Sequence, residues 1–291
     1  MQLSKYLSLI KFSHTVFAMP FAILGFTIGL YSLKSFPEAY QINRLFLLVV
    51  VCMVTARSAA MAFNRYIDRY FDALNPRTAI REIPAGVIKP QNALFFVVFN
   101  CVGFLIASYL INPLCFALAP VALLVVIGYS YTKRFTPLCH VVLGIGLGIA
   151  PLGAYLAINP SWDLVPILLG LSVLFWVSGF DVIYALQDEE FDRATNLKSI
   201  PVLLGRSRAL QLARFLHLNS IVLIWYLAVL LDANWLYYLA AAVYSLLLIR
   251  QHSLLSPNDL SRVNLAFFTF NGIASLVFCS LAILDIVLFN A

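Results

Sequence analysis

With 291 residues, 62% of them hydrophobic and only 11% charged, the chain is too apolar for a water-soluble domain, since such domains are about half apolar and about a quarter charged. A mean hydropathy of +0.92 points the same way, to an integral membrane protein. The formal charge of +6 lies in loops beside apolar segments, where topology and lipid headgroups explain it and nucleic acid is not implied.

Nine segments approach the roughly 20 mostly apolar residues that a membrane-spanning helix needs: 14–33, 44–64, 93–111, 114–131, 141–158, 164–182, 216–231, 235–250 and 265–289. The first follows Lys11 without a small-residue cleavage site and reads as a retained helix. Of the 19 Lys and Arg, 16 fall on the side of the N-terminus; Lys34 and Arg44 lie opposite, and Arg57 lies inside the second segment. By the positive-inside rule the N-terminus is cytoplasmic and, after nine crossings, Ala291 is outside. Glu38, Asp163, Asp232 and Asp285 fall outside, whereas the motif acids described below are all cytoplasmic. Cys52, Cys101, Cys115, Cys139 and Cys279 lie mostly within apolar segments and lack C-x-x-C spacing, so they read as buried thiols, without a disulfide or zinc framework. The prediction is one all-α transmembrane domain over residues 1–291.

In chain order, Lys11 and His14 stand at the mouth of the first segment. Arg57 comes next, in mid-helix, where an Arg costs about 2.5–3.5 kcal/mol, so it is expected to face an internal polar cavity. Asn64, Asp68 and Asp72 follow at four-residue spacing, which on one helix makes a single column two turns above Arg57. Such a column also suits a solvated helix end paired with Arg65 and Arg69. A second one, however, runs through Asp181, Asp188 and Asp192 after the apolar run 165–179, on the same membrane side. Stacked like charges repel, so each column calls for a cation. Oxygen ligands without sulfur or imidazole suit a hard one such as Mg²⁺.

Bases accompany the acids. Arg77 and Arg81 follow the first column, and Lys133 and Arg134 end the fourth segment; together with metal-binding acids they point to a diphosphate. Lys198, Arg206 and Arg208 read as topology charges. Glu189, about 100° around the helix from Asp188, reads as an exposed acid. Tyr184 shares the face of Asp181, and 23 Phe, 14 Tyr and 4 Trp supply rings for a prenyl tunnel or for shielding a carbocation.

The pattern N-x-x-x-D-x-x-x-D (Asn64, Asp68, Asp72), with the later D-x-x-Y-A-x-x-D-x-x-x-D (Asp181, Tyr184, Ala185, Asp188, Asp192), resembles the UbiA superfamily of intramembrane prenyltransferases. Arg57, Arg77-Thr78-Ala79, Pro84 with Gly86, and Tyr129 with Lys133-Arg134 also stand where family members carry them. The likeness spans nearly the whole chain. It implies helices around a central cavity, capped on the cytoplasmic side and open laterally to lipid. It implies Mg²⁺ held by Asp68, Asp72 and Asp188, with Asp192 or Asp181 and the Asn64 amide, binding a polyprenyl diphosphate. Arg57, Arg77, Arg81, Lys133 and Arg134 then neutralise the leaving diphosphate. The resulting allylic cation is attacked by an electron-rich aromatic ring, which loses a proton. On this resemblance Asp68, Asp72, Asp181, Asp188, Arg57 and Tyr184 form the catalytic set.

Within the superfamily the chain is most similar to 4-hydroxybenzoate polyprenyltransferases of quinone biosynthesis. Many of these carry Arg and Asp near the start of the first helix, where this chain has Lys11-Phe12-Ser13-His14. That variant, with the stretch 185–190, also resembles prenyltransferases of the futalosine route to menaquinone. The acceptor is then a hydroxylated aromatic acid, 4-hydroxybenzoate or a naphthoic acid, serving ubiquinone or menaquinone. Haem O, chlorophyll and lipid synthases are alternatives within the superfamily. A cation-coupled transporter is the rival from another class, disfavoured because the acids cluster at one membrane face and not at the midplane.

Overall fold

The computed structural model describes residues 2–10 and 18–289; Lys11 and His14 lie outside the described residues. Its helices are α1 (Gln2–Leu9), α2 (Met19–Tyr31), α3 (Ala39–Ile67), α4 (Arg69–Leu74), α5 (Pro90–Ile111), α6 (Pro113–Thr132), α7 (Cys139–Ile158), α8 (Leu164–Ala185), α9 (Glu189–Ala194), α10 (Ile200–Leu230), α11 (Trp235–Ser253) and α12 (Asn271–Phe289). A 3-10 turn, Leu186–Asp188, joins α8 to α9, and a π-helix, Leu265–Phe270, leads into α12. No strand occurs among the described residues.

Among the described residues, seven helical stretches are long and apolar enough to cross a membrane: Ala39–Ile67, Pro90–Ile111, Pro113–Thr132, Cys139–Ile158, Leu164–Ala194, Ile200–Leu230 and Leu265–Phe289. Two of the nine predicted segments are absent from that set. The first is represented by α2, only 13 residues long. The eighth, α11, has 19 residues but is interrupted by Tyr and Ser and ends in Arg250-Gln251-His252-Ser253. The segment predicted at 216–231 is the far end of α10, which begins at Ile200 and bends at Gly205, where φ is +75°. A left-handed φ is costly for residues bearing a Cβ, and glycine adopts it freely.

The chain forms two compact units, one of residues 2–10 and Tyr40–Tyr131, the other of residues 18–39 and 132–289. In the first, α3 and α5 run antiparallel. Arg44 Nη2 donates to the Leu110 carbonyl at 2.9 Å near one end, and Cys52 Sγ lies 3.7 Å from Ser108 Oγ. Towards the other end Ala59, Ala62, Ala93 and Val97 pack with Leu9, Ile83 and Ile88, fixing the segment after α4 against both helices.

In the second unit small residues bring backbones together, as expected where lipid gives helices no hydrophobic reason to associate. A Cβ on Gly144 of α7 would stand 2.6 Å from the Leu174 carbonyl of α8, and one on Gly148 2.5 Å from that of Gly170. Such contacts are sub-van der Waals, so only glycine permits this spacing of α7 and α8. The buried Trp176 packs among Phe21, Phe180, Tyr244 and, through Phe21 and Tyr244, Phe278.

Backbone groups left by irregular turns need partners in a dry interior. Asn271 donates to the Ala266 and Phe267 carbonyls of the π-helix at 3.3 and 2.9 Å and accepts from Trp176 Nε1 at 2.9 Å. Asp285, fully buried in α12, accepts from Asn234 N at 2.9 Å and Tyr237 N at 3.1 Å, so it caps the N-terminus of α11 from another helix. Removing it with Asp285→Ala strands two buried N–H groups and is expected to cost about 2–4 kcal/mol. Thermal unfolding in detergent checks this, and a Tm within a degree of wild type would contradict the capping role.

Candidate active site

The first acidic motif lies in the first unit. Helix α3 ends at Ile67; Asp68, with φ −87° and ψ 4°, interrupts it before α4 resumes at Arg69. The single continuous helix expected here is therefore two pieces. The spacing survives because Asp68 N still donates to the Asn64 carbonyl (2.9 Å) and Asp72 N to that of Asp68 (2.7 Å). Asn64 Nδ2 also donates to Asp68 Oδ2 at 3.0 Å, so these two side chains share one edge. One turn on, Asp72 is buried and its Oδ1 meets Arg81 Nη1 at 2.5 Å, while Thr78 Oγ1 donates to its carbonyl. The expected metal ligand and diphosphate base are thus each other's partners. Arg77 lies on the exposed loop, its N–H donating to Asn75 Oδ1 at 3.0 Å. Arg57 is half-buried in α3 and interacts electrostatically with Tyr129, its Nε buried without a hydrogen-bond partner.

The second motif lies in the second unit and repeats the construction. Helix α8 ends at Ala185, a 3-10 turn follows, and Asp188, with φ −103° and ψ 2°, precedes α9. Again the first acid of a D-x-x-x-D sits at a helix break in the sparsely populated bridge region. Again the second acid is buried and paired: Lys133 Nζ lies 2.7 Å from Asp192 Oδ1. Lys198 N donates to the Lys133 carbonyl at 2.7 Å and Lys198 Nζ to that of Phe135 at 3.1 Å, stitching residues 132–138 to 192–200. Burial alone would depress the Lys133 ammonium; the Asp192 carboxylate outweighs it and holds its pKa above the ordinary lysine value. Arg134 is half-buried beside it in sequence.

Tyr184 stacks on Phe267 of the π-helix at a centroid distance of 4.3 Å, with Phe268 at 6.1 Å. Asp181 accepts from a residue that sequence reasoning missed, His140, whose Nδ1 lies 2.7 Å from Asp181 Oδ2. The available signal was the four-residue stripe His140, Gly144, Gly148 on one face of α7. Glu189 departs from expectation. It is buried, not exposed, and binds Arg193 (2.9 Å) and Arg206 (2.8 Å), which also reaches Glu190. Its position off the Asp188 face turns it into the protein, and Arg206, expected as a topology charge, neutralises it there.

Among the described residues no three Asp, Glu, His or Cys side chains stand together as a ready metal cluster. The residues nonetheless fit a hard cation. The donors are all oxygen, and Asp72 Oδ2 and Asp192 Oδ2 are buried without a hydrogen-bond partner, an arrangement that an oxygen-seeking Mg²⁺ would complete.

The model of the UbiA prenyltransferase family matches residues 18–273. The 4-hydroxybenzoate octaprenyltransferase of Aeromonas hydrophila is 32% identical over 240 residues, covering 81% of this chain and 82% of that protein. The apo structure of a UbiA homologue from Aeropyrum pernix superposes with a TM-score of 0.83 at 29% identity, over 94% of this chain and 98% of that one. A UbiA homologue from Archaeoglobus fulgidus, solved bound to GPP and Mg²⁺, shares the fold at a TM-score of 0.70 and 22% identity, over 97% and 99% of the two chains.

The Lys133–Asp192 pair yields a stability test. Lys133→Met leaves the Asp192 carboxylate buried and unpaired, which costs about 3–5 kcal/mol for such a break. Adding Asp192→Leu removes the stranded charge and should recover most of that loss in thermal unfolding. Additive losses in the double variant would mean the two side chains act independently.

Proposed function

The chain belongs to the UbiA prenyltransferase family, and from that premise we propose that this membrane enzyme transfers a polyprenyl group from polyprenyl diphosphate to a hydroxylated aromatic acid of the 4-hydroxybenzoate type, in respiratory quinone biosynthesis. The observation that carries the reading is the twice-built acid pair, in which a helix break presents one Asp and the next turn buries a second against a base. Similarity to 4-hydroxybenzoate octaprenyltransferases supports the acceptor class.

In this reading residues 1–291 are one prenyltransferase domain. Asn64, Asp68 and Asp72 of the first unit, and Asp188 with Asp192 or Asp181 of the second, are the residues that would hold Mg²⁺, which would supply charge stabilisation for the departing diphosphate. Arg57, Arg77, Arg81, Lys133 and Arg134 bind its oxygens, stabilising the charge that develops as the C–O bond breaks. The Asp72–Arg81 and Asp192–Lys133 pairs keep two of these bases next to the acids before substrate arrives. Tyr184, backed by Phe267, offers a ring face to the allylic cation. Apolar helices around the site keep water from that cation. The acceptor ring forms the new C–C bond, loses its ring proton, and regains aromaticity.

The positive-inside distribution supports a bacterial inner-membrane protein with nine crossings, a cytoplasmic N-terminus, an external C-terminus and a site capped on the cytoplasmic face. A C-terminal reporter active only in the cytoplasm should stay silent; a bright signal would mean an even number of crossings.

Activity is expected to vanish with EDTA and return with Mg²⁺, read by mass spectrometry on geranyl diphosphate and a panel of 4-hydroxybenzoate and naphthoic acids. Asp68→Asn and Asp188→Asn should each lower turnover at least ~10²-fold, the scale for removing one preorganised electrostatic partner. Full turnover by metal-stripped enzyme, or normal rates in either variant, would end the metal–diphosphate reading.

A further inference from the structure

We propose that His140, which belongs to neither acidic motif, is a positioning residue for Asp181: it fixes the rotamer in which that carboxylate serves the transfer reaction. The proposal rests on the prenyl-transfer reading above and adds a residue to it.

The argument begins in the sequence of α7. His140, Gly144 and Gly148 recur every four residues, and the two glycines let α7 approach α8 more closely than any Cβ would allow. That approach carries His140 against the last turns of α8, where Asp181 stands. The imidazole is enclosed, with only 3% of its side chain accessible, whereas Asp181 keeps 24%, so the histidine lies behind a carboxylate that still meets its surroundings.

Hydrogen bonding then fixes direction. Ile200 N, at the first turn of α10, donates to His140 Nε2 at 3.3 Å. An N–H can only donate, so Nε2 is the acceptor and Nδ1 carries the ring proton towards Asp181 Oδ2, 2.7 Å away. The imidazole therefore has two separable duties. At Nε2 it satisfies a helix N-terminal N–H that would otherwise be orphaned in the interior. At Nδ1 it supplies a hydrogen bond to a single carboxylate oxygen, Oδ2, which holds the Asp181 side chain in one rotamer. A buried histidine present only for packing would need neither the short contact nor this polarity.

Two conservative variants separate the duties, because an Asn amide reaches the Nδ1 position and a Gln amide the Nε2 position. In purified protein assayed with geranyl diphosphate, Mg²⁺ and 4-hydroxybenzoate, His140→Ala is expected to lower kcat about 10–100-fold, the usual loss on removing a group that orients a functional ligand. The KM for geranyl diphosphate should stay within about twofold. His140→Asn should restore most of kcat. His140→Gln should restore thermal stability without restoring kcat, and His140→Ala added to Asp181→Ala should cost nothing further. Undiminished kcat in His140→Ala, rescue by Gln in place of Asn, or additive losses with Asp181→Ala would overturn the proposal.

A second measurement does not depend on turnover. In ¹⁵N-histidine-labelled wild-type protein, with the His140 signal identified by its absence from His140→Asn, Nδ1 should be protonated; an unprotonated Nδ1 overturns the assignment. A wild type that prenylates no aromatic acid in the panel removes the functional reading and this inference together. An active wild type alongside a fully active His140→Ala removes the inference alone.

Discussion

A carboxylate held away from water stays ionised only if a cation reaches it, and this fold meets that constraint twice with the same device. Asp72 is answered by Arg81 and Asp192 by Lys133, each base arriving from a different segment of chain. Because a buried charge is far costlier unpaired than paired, each pair fixes its loop as firmly as a packed side chain would. Arg81 ties the segment after α4 to the acid, and Lys133 ties the α6–α7 connection to α9. The segments beside the two acid motifs of this enzyme are thus electrostatically ordered, although they contain little regular structure.

Elsewhere the same dryness is handled by single side chains working across helices. The π-helix before α12 releases backbone carbonyls that Asn271 takes up, and that amide in turn holds the Trp176 indole. His217 reaches the Trp176 carbonyl at 3.1 Å, and His252 lies 2.9 Å from its other nitrogen. Gly179 leaves the room for it, since a Cβ there would fall 2.3 Å from the His217 ring. Close helix contact, which small residues permit, is what lets these polar groups find partners without water.

Much of this was legible in the sequence, and the remainder failed for identifiable reasons. Apolar length located most of the crossing helices, and four-residue spacing identified both acid sets. Spacing did not reveal the interruptions at Asp68 and Asp188. At Asp68 the i→i+4 backbone bonds survive across a residue with ψ near zero, so the periodicity continues although the regular helix does not. A helical wheel also reports which residues share a face but not which face is buried. On that ground Glu189 reads as exposed, whereas Arg193 and Arg206 cover it from the solvent side. His140 was invisible because its importance lies in a tertiary contact, set by glycines in its own helix and by the start of α10.

The place of α2 has a consequence for how the protein is made. This helix precedes α3 to α6 of the first unit in the chain, yet it packs on α7, α8 and α12 in the second. Its Gly25 waits for Pro151, more than a hundred residues downstream. At roughly 5–20 residues per second of synthesis, that delay is on the order of ten seconds. Throughout it the grooved face of a 13-residue helix has only lipid or the insertion machinery for company. The intervening helices can meanwhile finish packing among themselves. Biogenesis therefore leaves one early, short helix in the bilayer as a ward of the translocon until its late-born partners arrive.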